Sequence, residues 1–132
     1  MVSLPLQRVR ELSMRDFHDL MVWQRAHALS LLVYRAVSRS RRREHEGLRS
    51  QLRRAADSIA ANIVEGCGAA SRKEFARFLD IAIKSASEVE YHLLVARDHG
   101  VVAHDAWQSM TGEVIEIRKM THGLRKKVLA TS

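Results

Sequence analysis

The residues best equipped for chemistry in this chain are Arg39, Arg41, Arg42 and Arg43, crowded into the polar stretch 38–46. A guanidinium is always charged and presents a planar fork of donors, so such a cluster can hold phosphates through bidentate hydrogen bonds. Arg49 and Arg53 carry the positive charge into the helical pattern that follows, giving six candidate phosphate contacts. Their plain alternative is a solvated charge run on an exposed connection. Other constellations offer less. Glu88 and His92 stand at i, i+4 with His99 on roughly the same face, which could be a ligand set. Di-iron sites in helical bundles need Glu-x-x-His on two helices, however, and no glutamate here has a histidine three residues on. Paired carboxylate and surface imidazoles is the expected reading, with no metal and no cofactor. Cys67 is the single cysteine, flanked by Gly66 and Gly68, which excludes an intramolecular disulfide and a cysteine cluster. Asn62 and Glu65 could be drawn as an acid–base pair, but helix-end hydrogen bonding accounts for them. There is no Gly-x-x-x-x-Gly-Lys loop and no nucleophile elbow. A binding protein is expected, not an enzyme.

Composition agrees. The 132 residues suffice for one core, and a formal net charge of +7 favours polyanionic partners. No apolar run approaches the ~20 residues needed to cross a bilayer. The N-terminus lacks the uninterrupted apolar core of a secretory signal, so no membrane association and a cytoplasmic location are expected.

The elements that must position these arginines follow from periodicity. Leu48, Leu52, Ala55, Ile59, Ile63 and Gly66 recur at three and four, one side of a helix. Ala55, Ala56, Ala60 and Ala61 let a neighbour approach closely. Ser58, Asn62 and Glu65 share the border of that seam and should find partners. Gly66 and Gly68 are expected to stop the helix through left-handed backbone. Ser71 and Glu74 then form a capping box that starts the next helix. So short a connection forces an antiparallel hairpin, in which Arg54 comes level with Ser85 and Glu88; a salt bridge between Arg54 and Glu88 is expected. The second arm carries Phe75, Phe78, Leu79, Ala82, Ala86, Val89, Leu93 and Ala96, and ends at Gly100. Before the hairpin, Asp19 is a plausible N-cap for a helix bearing Leu20, Trp23, Ala26, Leu29, Val33 and Val37, with Trp23 and Tyr34 in the core or its seam. After it, Trp107, Met110, Val114, Ile117, Thr121, Leu124 and Val128 define a last helix. Residues 1–18 read as a flexible lead-in whose Leu4, Pro5, Leu6, Val9 and Leu12 could pack on a neighbouring subunit. The expected fold is all-α, an antiparallel up-down-up-down four-helix bundle over residues 19–130, crossing near 20°.

The spaced set Gln51-Leu52-Arg53-Arg54-Ala55, Ser58-Ile59, Asn62-Ile63 and Glu65-Gly66 resembles a bacterial four-helix-bundle family encoded within intervening sequences of 23S ribosomal RNA genes. The likeness continues through Ser71, Glu74-Phe75, Phe78-Leu79, Ile81-Ala82, Ser85, Glu88, Leu93-Leu94, Ala96-Arg97-Asp98 and Gly100, and covers about residues 17–128. The resemblance implies a left-handed bundle assembling into a ring-like homopentamer, with RNA binding the usual supposition. More distantly, it is similar to accessory proteins of diversity-generating retroelements, which implies a reverse transcriptase as a further partner. Ala60 stands where the family often has proline, so a kink there is not expected.

Two functions of different class follow. In one, an oligomer binds structured RNA, or DNA, through Arg39, Arg41, Arg42, Arg43, Arg49 and Arg53. In the other, the ring is an assembly module that docks a protein, and its charge serves solubility.

Overall fold

Four helices account for most of the computed structural model, which describes residues 16–40 and 42–130. They are α1 (Met21–Ser38), α2 (Glu46–Cys67), α3 (Arg72–Asp98) and α4 (His104–Ala130). Single 3-10 turns at Phe17–Asp19 and Arg43–His45 precede α1 and α2, and no strand occurs among the described residues. The expected lead-in therefore lies outside the described residues as far as 15. Residues 16–19 are ordered: Asp16, not Asp19, is the capping residue, accepting from His18 N–H at 3.1 Å. His18 also holds the Asp16 carboxyl below its usual range by a side-chain hydrogen bond. α1 starts from Leu20 with no side-chain cap.

Each helix buries one stripe. Val22, Ala26, Leu29, Val33 and Val37 on α1 face Leu52, Ile59 and Ile63 on α2, Leu79, Val89 and Leu93 on α3, and Met110, Val114 and Ile117 on α4. The helices form a square in which α1 and α3 lie diagonally, each packed on α2 and α4. Neighbours run antiparallel: Tyr34 and Ser30 of α1 meet Arg53 and Asp57 of α2, and Asp80 and Glu90 of α3 meet Arg125 and Arg118 of α4. Thr121, buried in the α4 stripe, satisfies its hydroxyl by donating to the Ile117 carbonyl at 2.7 Å. A buried hydroxyl without that bond would cost ~1–3 kcal/mol.

The hairpin is tighter than its glycines suggest. α2 continues through Gly66 to Cys67, and Gly68 caps it at φ −88°, not in the left-handed region. Gly66 serves instead to admit a ring, since a Cβ there would lie 2.8 Å from Phe75 Cδ1. Ser71 accepts from Glu74 N–H at 3.1 Å, which is the first half of the expected capping box.

One ion pair locks α1 to α4. Arg25 donates from Nε and Nη2 to the two carboxylate oxygens of Glu113, at 2.7 and 2.8 Å. That hydrogen-bonded guanidinium holds the Glu113 carboxyl below its usual range. A lowered folded-state pKa stabilises the fold above the unfolded value and loses that contribution as pH falls through the folded one. Both groups are about a third exposed, so solvent screening limits the effect. Glu113→Gln is expected to cost ~1 kcal/mol at pH 7. The gap between variant and parent should narrow as pH falls through the folded-state value of Glu113; a gap that does not shrink on acidification would contradict the account.

Candidate nucleic-acid interface

The arginine-rich connection is held from below by one of its own cations. α1 ends at Ser38, Ser40 N–H donates to the Val37 carbonyl at 3.3 Å, and the chain turns through Arg43–His45 into α2. From the first turn of α2, Arg49 reaches back beneath this turn. Its Nη1 donates to the Arg42 carbonyl at 2.8 Å and its Nη2 to Glu46 Oε2 at 2.7 Å. Arg49 is 6% exposed. It is thus no phosphate contact, contrary to the sequence reading: its position falls on the seam side of α2, three residues before Leu52. Replacing it by methionine keeps the packing and removes the donors, leaving the Arg42 carbonyl with the His45 N–H alone, at 3.1 Å. A loss of ~1 kcal/mol, that of one net hydrogen bond, is expected in urea denaturation. Unchanged stability would show that the turn holds without it.

The remaining cations sort into two groups. Arg25, Arg118 and Arg125 are committed to Glu113, Glu90 and Asp80, and Arg97 to Asp98 and the face of Trp107. Arg125 Nε lies 2.6 Å from Asp80 Oδ1 without hydrogen-bond alignment, so this is a charge contact only. Arg39 and Arg43 are exposed and have no acidic partner among the described residues. Arg42 meets only Glu44, at 3.4 Å, with both side chains open to solvent. Arg41 lies outside the described residues. Arg53 is half-buried, its guanidinium 5.6 Å from the centre of the Tyr34 ring. Tyr34 is 59% exposed, outside the core position expected of it, because it follows the buried Val33 and is turned about 100° from it. Trp23 does sit half-buried against the core, stacked on His27. Sequence reasoning missed Arg35, exposed one turn before Arg39; the i, i+4 spacing of those two arginines was the available signal.

Facing this connection is the one between α3 and α4. α3 closes with Gly100 N–H donating to the Arg97 carbonyl at 3.0 Å and Val101 N–H to the Ala96 carbonyl at 2.8 Å. That double closure needs left-handed backbone at Gly100, whose φ is +71°. Val101 and Val102 are buried and the chain enters α4 through Ala103. Between the two connections is an open cleft of about 430 Å³, lined by Ala36, Arg39, Ser40, Arg42, residues 100–103 and Ala106.

The polar positions of the α2–α3 hairpin form a partial network. Ser58 and Ser85 hydroxyls are 2.8 Å apart, and Asn62 Nδ2 donates to the Ser58 carbonyl at 2.8 Å and its hydroxyl at 3.0 Å. Glu65 is exposed and takes no part. Arg54 and Glu88 line one cleft with Ser58, Ser85 and His92 but form no ion pair, so the expected salt bridge is corrected. Both side chains are exposed, where water competes for each charge. His92 stays with Glu88, whereas His99 sits two turns further on, its ring 6.0 Å from that of His45. Among the described residues no three metal-ligating side chains converge. Burial pushes the Cys67 thiol up to about 11, which keeps it protonated at neutral pH. No helix among these residues is long and apolar enough to cross a membrane.

A family model described as 23S rRNA-intervening sequence protein matches residues 18–123. The fold is similar to the crystal structure of a protein of unknown function from the S23 ribosomal protein family of Bacteroides thetaiotaomicron VPI-5482, with a TM-score of 0.73 and 26% identity. The alignment covers 80% of this chain and 99% of that one. No curated protein matches the chain.

Proposed function

The chain belongs to the 23S rRNA-intervening sequence protein family, and on that premise we propose that it is a non-enzymatic, oligomeric RNA-binding protein. The observation that carries this reading is the set of exposed cations at one end of the bundle, Arg35, Arg39, Arg42 and Arg43, whereas Arg25, Arg49, Arg97, Arg118 and Arg125 are tied to acids. Cations already paired release few counterions on meeting a polyanion; uncommitted ones release theirs, and that release drives association. The family's description points to RNA ahead of DNA.

Self-association is supported by two apolar patches on diagonal helices. Leu31, Leu32 and Tyr34 are 44%, 45% and 59% exposed on α1; Tyr91 and Leu94 are 62% and 38% exposed on α3. Beside Tyr91 and Leu94, a cleft of about 270 Å³ holds the buried Trp107 Nε1 and Thr111 hydroxyl, neither with a hydrogen-bond partner. Patches on opposite flanks suit head-to-tail contacts, which close into a ring when the rotation allows. A homopentamer working in the cytoplasm fits this reading. The same patches also favour the second one, an assembly module that docks a protein and leaves nucleic acid alone.

Fluorescence anisotropy with RNA and DNA of equal length, across a salt series, separates the two. RNA binding is expected, with log affinity falling linearly in log salt. Salt-insensitive or absent binding, with light scattering still showing a ring, would favour the assembly module.

A further inference from the structure

We propose that the cleft between α3 and α4 receives the Tyr34 side chain of a second copy of this chain, a contact that rests on the self-association proposed above and names its two surfaces. The cleft, about 270 Å³, has room for one large side chain, and the exposed Tyr91 and Leu94 line it. Two groups in its wall lack a partner. Trp107 Nε1 and the Thr111 hydroxyl stand one turn apart on α4, shut off from solvent and without a hydrogen bond among the described residues. The Arg97 guanidinium lies over the Trp107 ring, 4.2 Å from its centre, and holds the indole in place. Buried donors and acceptors are nearly always satisfied in folded proteins, so two orphans on one helix face mark a surface that something else completes.

What completes it must accept from the indole N–H, bond the threonine hydroxyl and cover Tyr91 and Leu94 with apolar surface. A tyrosine does all three, since its hydroxyl both accepts and donates and its ring is apolar. Tyr34 is 59% exposed, and its hydroxyl has no hydrogen-bond partner among the described residues. Leu31, 44% exposed, stands three residues before it on the same face of α1. Charge agrees. Arg53, over the Tyr34 ring, has no acidic partner among the described residues, and Glu88, one turn before Tyr91, is exposed and in no ion pair there. The α1 face thus brings an uncommitted cation, and the cleft side an uncommitted carboxylate. Because α1 and α3 lie diagonally, Tyr34 cannot reach the cleft of its own chain, and the contact runs head to tail.

The test is sedimentation of the full chain with variants that each spoil one surface. Tyr34→Arg keeps the cleft and Leu94→Arg keeps the α1 face; both positions are exposed, so both variants should melt with the parent. Each alone is expected to be monomeric where the parent is assembled. Their equimolar mixture should give a dimer and nothing larger, because one sound contact survives. Tyr34→Phe and Trp107→Phe should each weaken association about fivefold, and together by clearly less than the product, since they remove two ends of one hydrogen bond. Losses that multiply, or a mixture that stays monomeric, overturn the contact. An assembly that persists in either arginine variant also overturns it and leaves self-association standing. Persistence in Leu94→Arg alone puts α1 against α1; persistence in both leaves the cleft to residues 1–15 or to a different protein. A parent that is monomeric throughout removes self-association, and this contact with it.

Discussion

Reversing Arg39, Arg42 and Arg43 together to glutamate is expected to weaken RNA binding by ~100-fold or more near 150 mM salt. Breaking one phosphate interaction takes ~0.7–0.9 from the slope of log affinity against log salt, so the slope should flatten by ~2–3. Stability should change little, because all three side chains are exposed and only Arg42 has an acidic neighbour, itself solvated. The control is a triple reversal of Lys73, Lys84 and Lys126, exposed lysines away from the connection, with the same change in net charge. If both triples flatten the slope equally, overall charge binds RNA and the end of the bundle has no special part. The Arg49→Met variant should weaken RNA binding only as far as it loosens the turn beneath Arg42. That separates the cation that shapes the site from those that face the partner.

The second large effect is at Gly66. A Cβ at this position would approach Phe75 Cδ1 to 2.8 Å, Phe75 Cε1 to 3.1 Å and Phe78 Cβ to 3.3 Å. The Phe75 ring is only 5% exposed and has little room to swing aside. Glycine inside a helix is otherwise costly, so replacement by alanine gains ~1 kcal/mol of propensity while losing ~1–3 kcal/mol to overpacking. Gly66→Val forfeits most of the gain and adds two methyl groups. It should destabilise by ~3 kcal/mol, about 10 °C in Tm. Gly112 and Gly123 on α4 provide the contrast, since a Cβ at either meets nothing within 4 Å. Alanine there should stabilise by ~0.5–1 kcal/mol each. Restoration of Gly66→Ala by Phe75→Leu would confirm that the ring is the obstacle. A neutral Gly66→Val would place the hairpin's closeness elsewhere.

The helices were legible because each buries a stripe at three-and-four spacing, a one-dimensional pattern that survives folding intact. Ile59, Ile63, Leu79, Val89, Val114 and Ile117 are all fully buried, as their spacing implied. What the sequence could not resolve was the rotation of residues beside a stripe. Tyr34 is apolar enough for a core but sits one residue past Val33, and so faces out. Arg49 is charged enough for a surface but sits three before Leu52, and so faces in. Gly66 and Gly68 look alike as terminators, because a glycine that admits a ring has the same one-letter signature as one that turns a chain. The basic run was visible as composition. Its division into Arg49 beneath and Arg39, Arg42 and Arg43 above depended on a bond to a backbone carbonyl seven residues back, across a turn whose path the sequence pattern does not show.

α1 is the shortest of the four helices, 18 residues against 27 in α3 and α4. At 1.5 Å per residue it falls some 13 Å short of them. Unlike α3, it has no side-chain cap at its start. Fraying or detaching α1 therefore uncovers less apolar surface than separating the α2–α3 hairpin, and its amides should trade hydrogen for deuterium first. Since α1 carries Leu31 and is capped by Arg39, whatever clamps either of them would slow that exchange along the whole rod, reporting occupancy at a distance from the point of attachment.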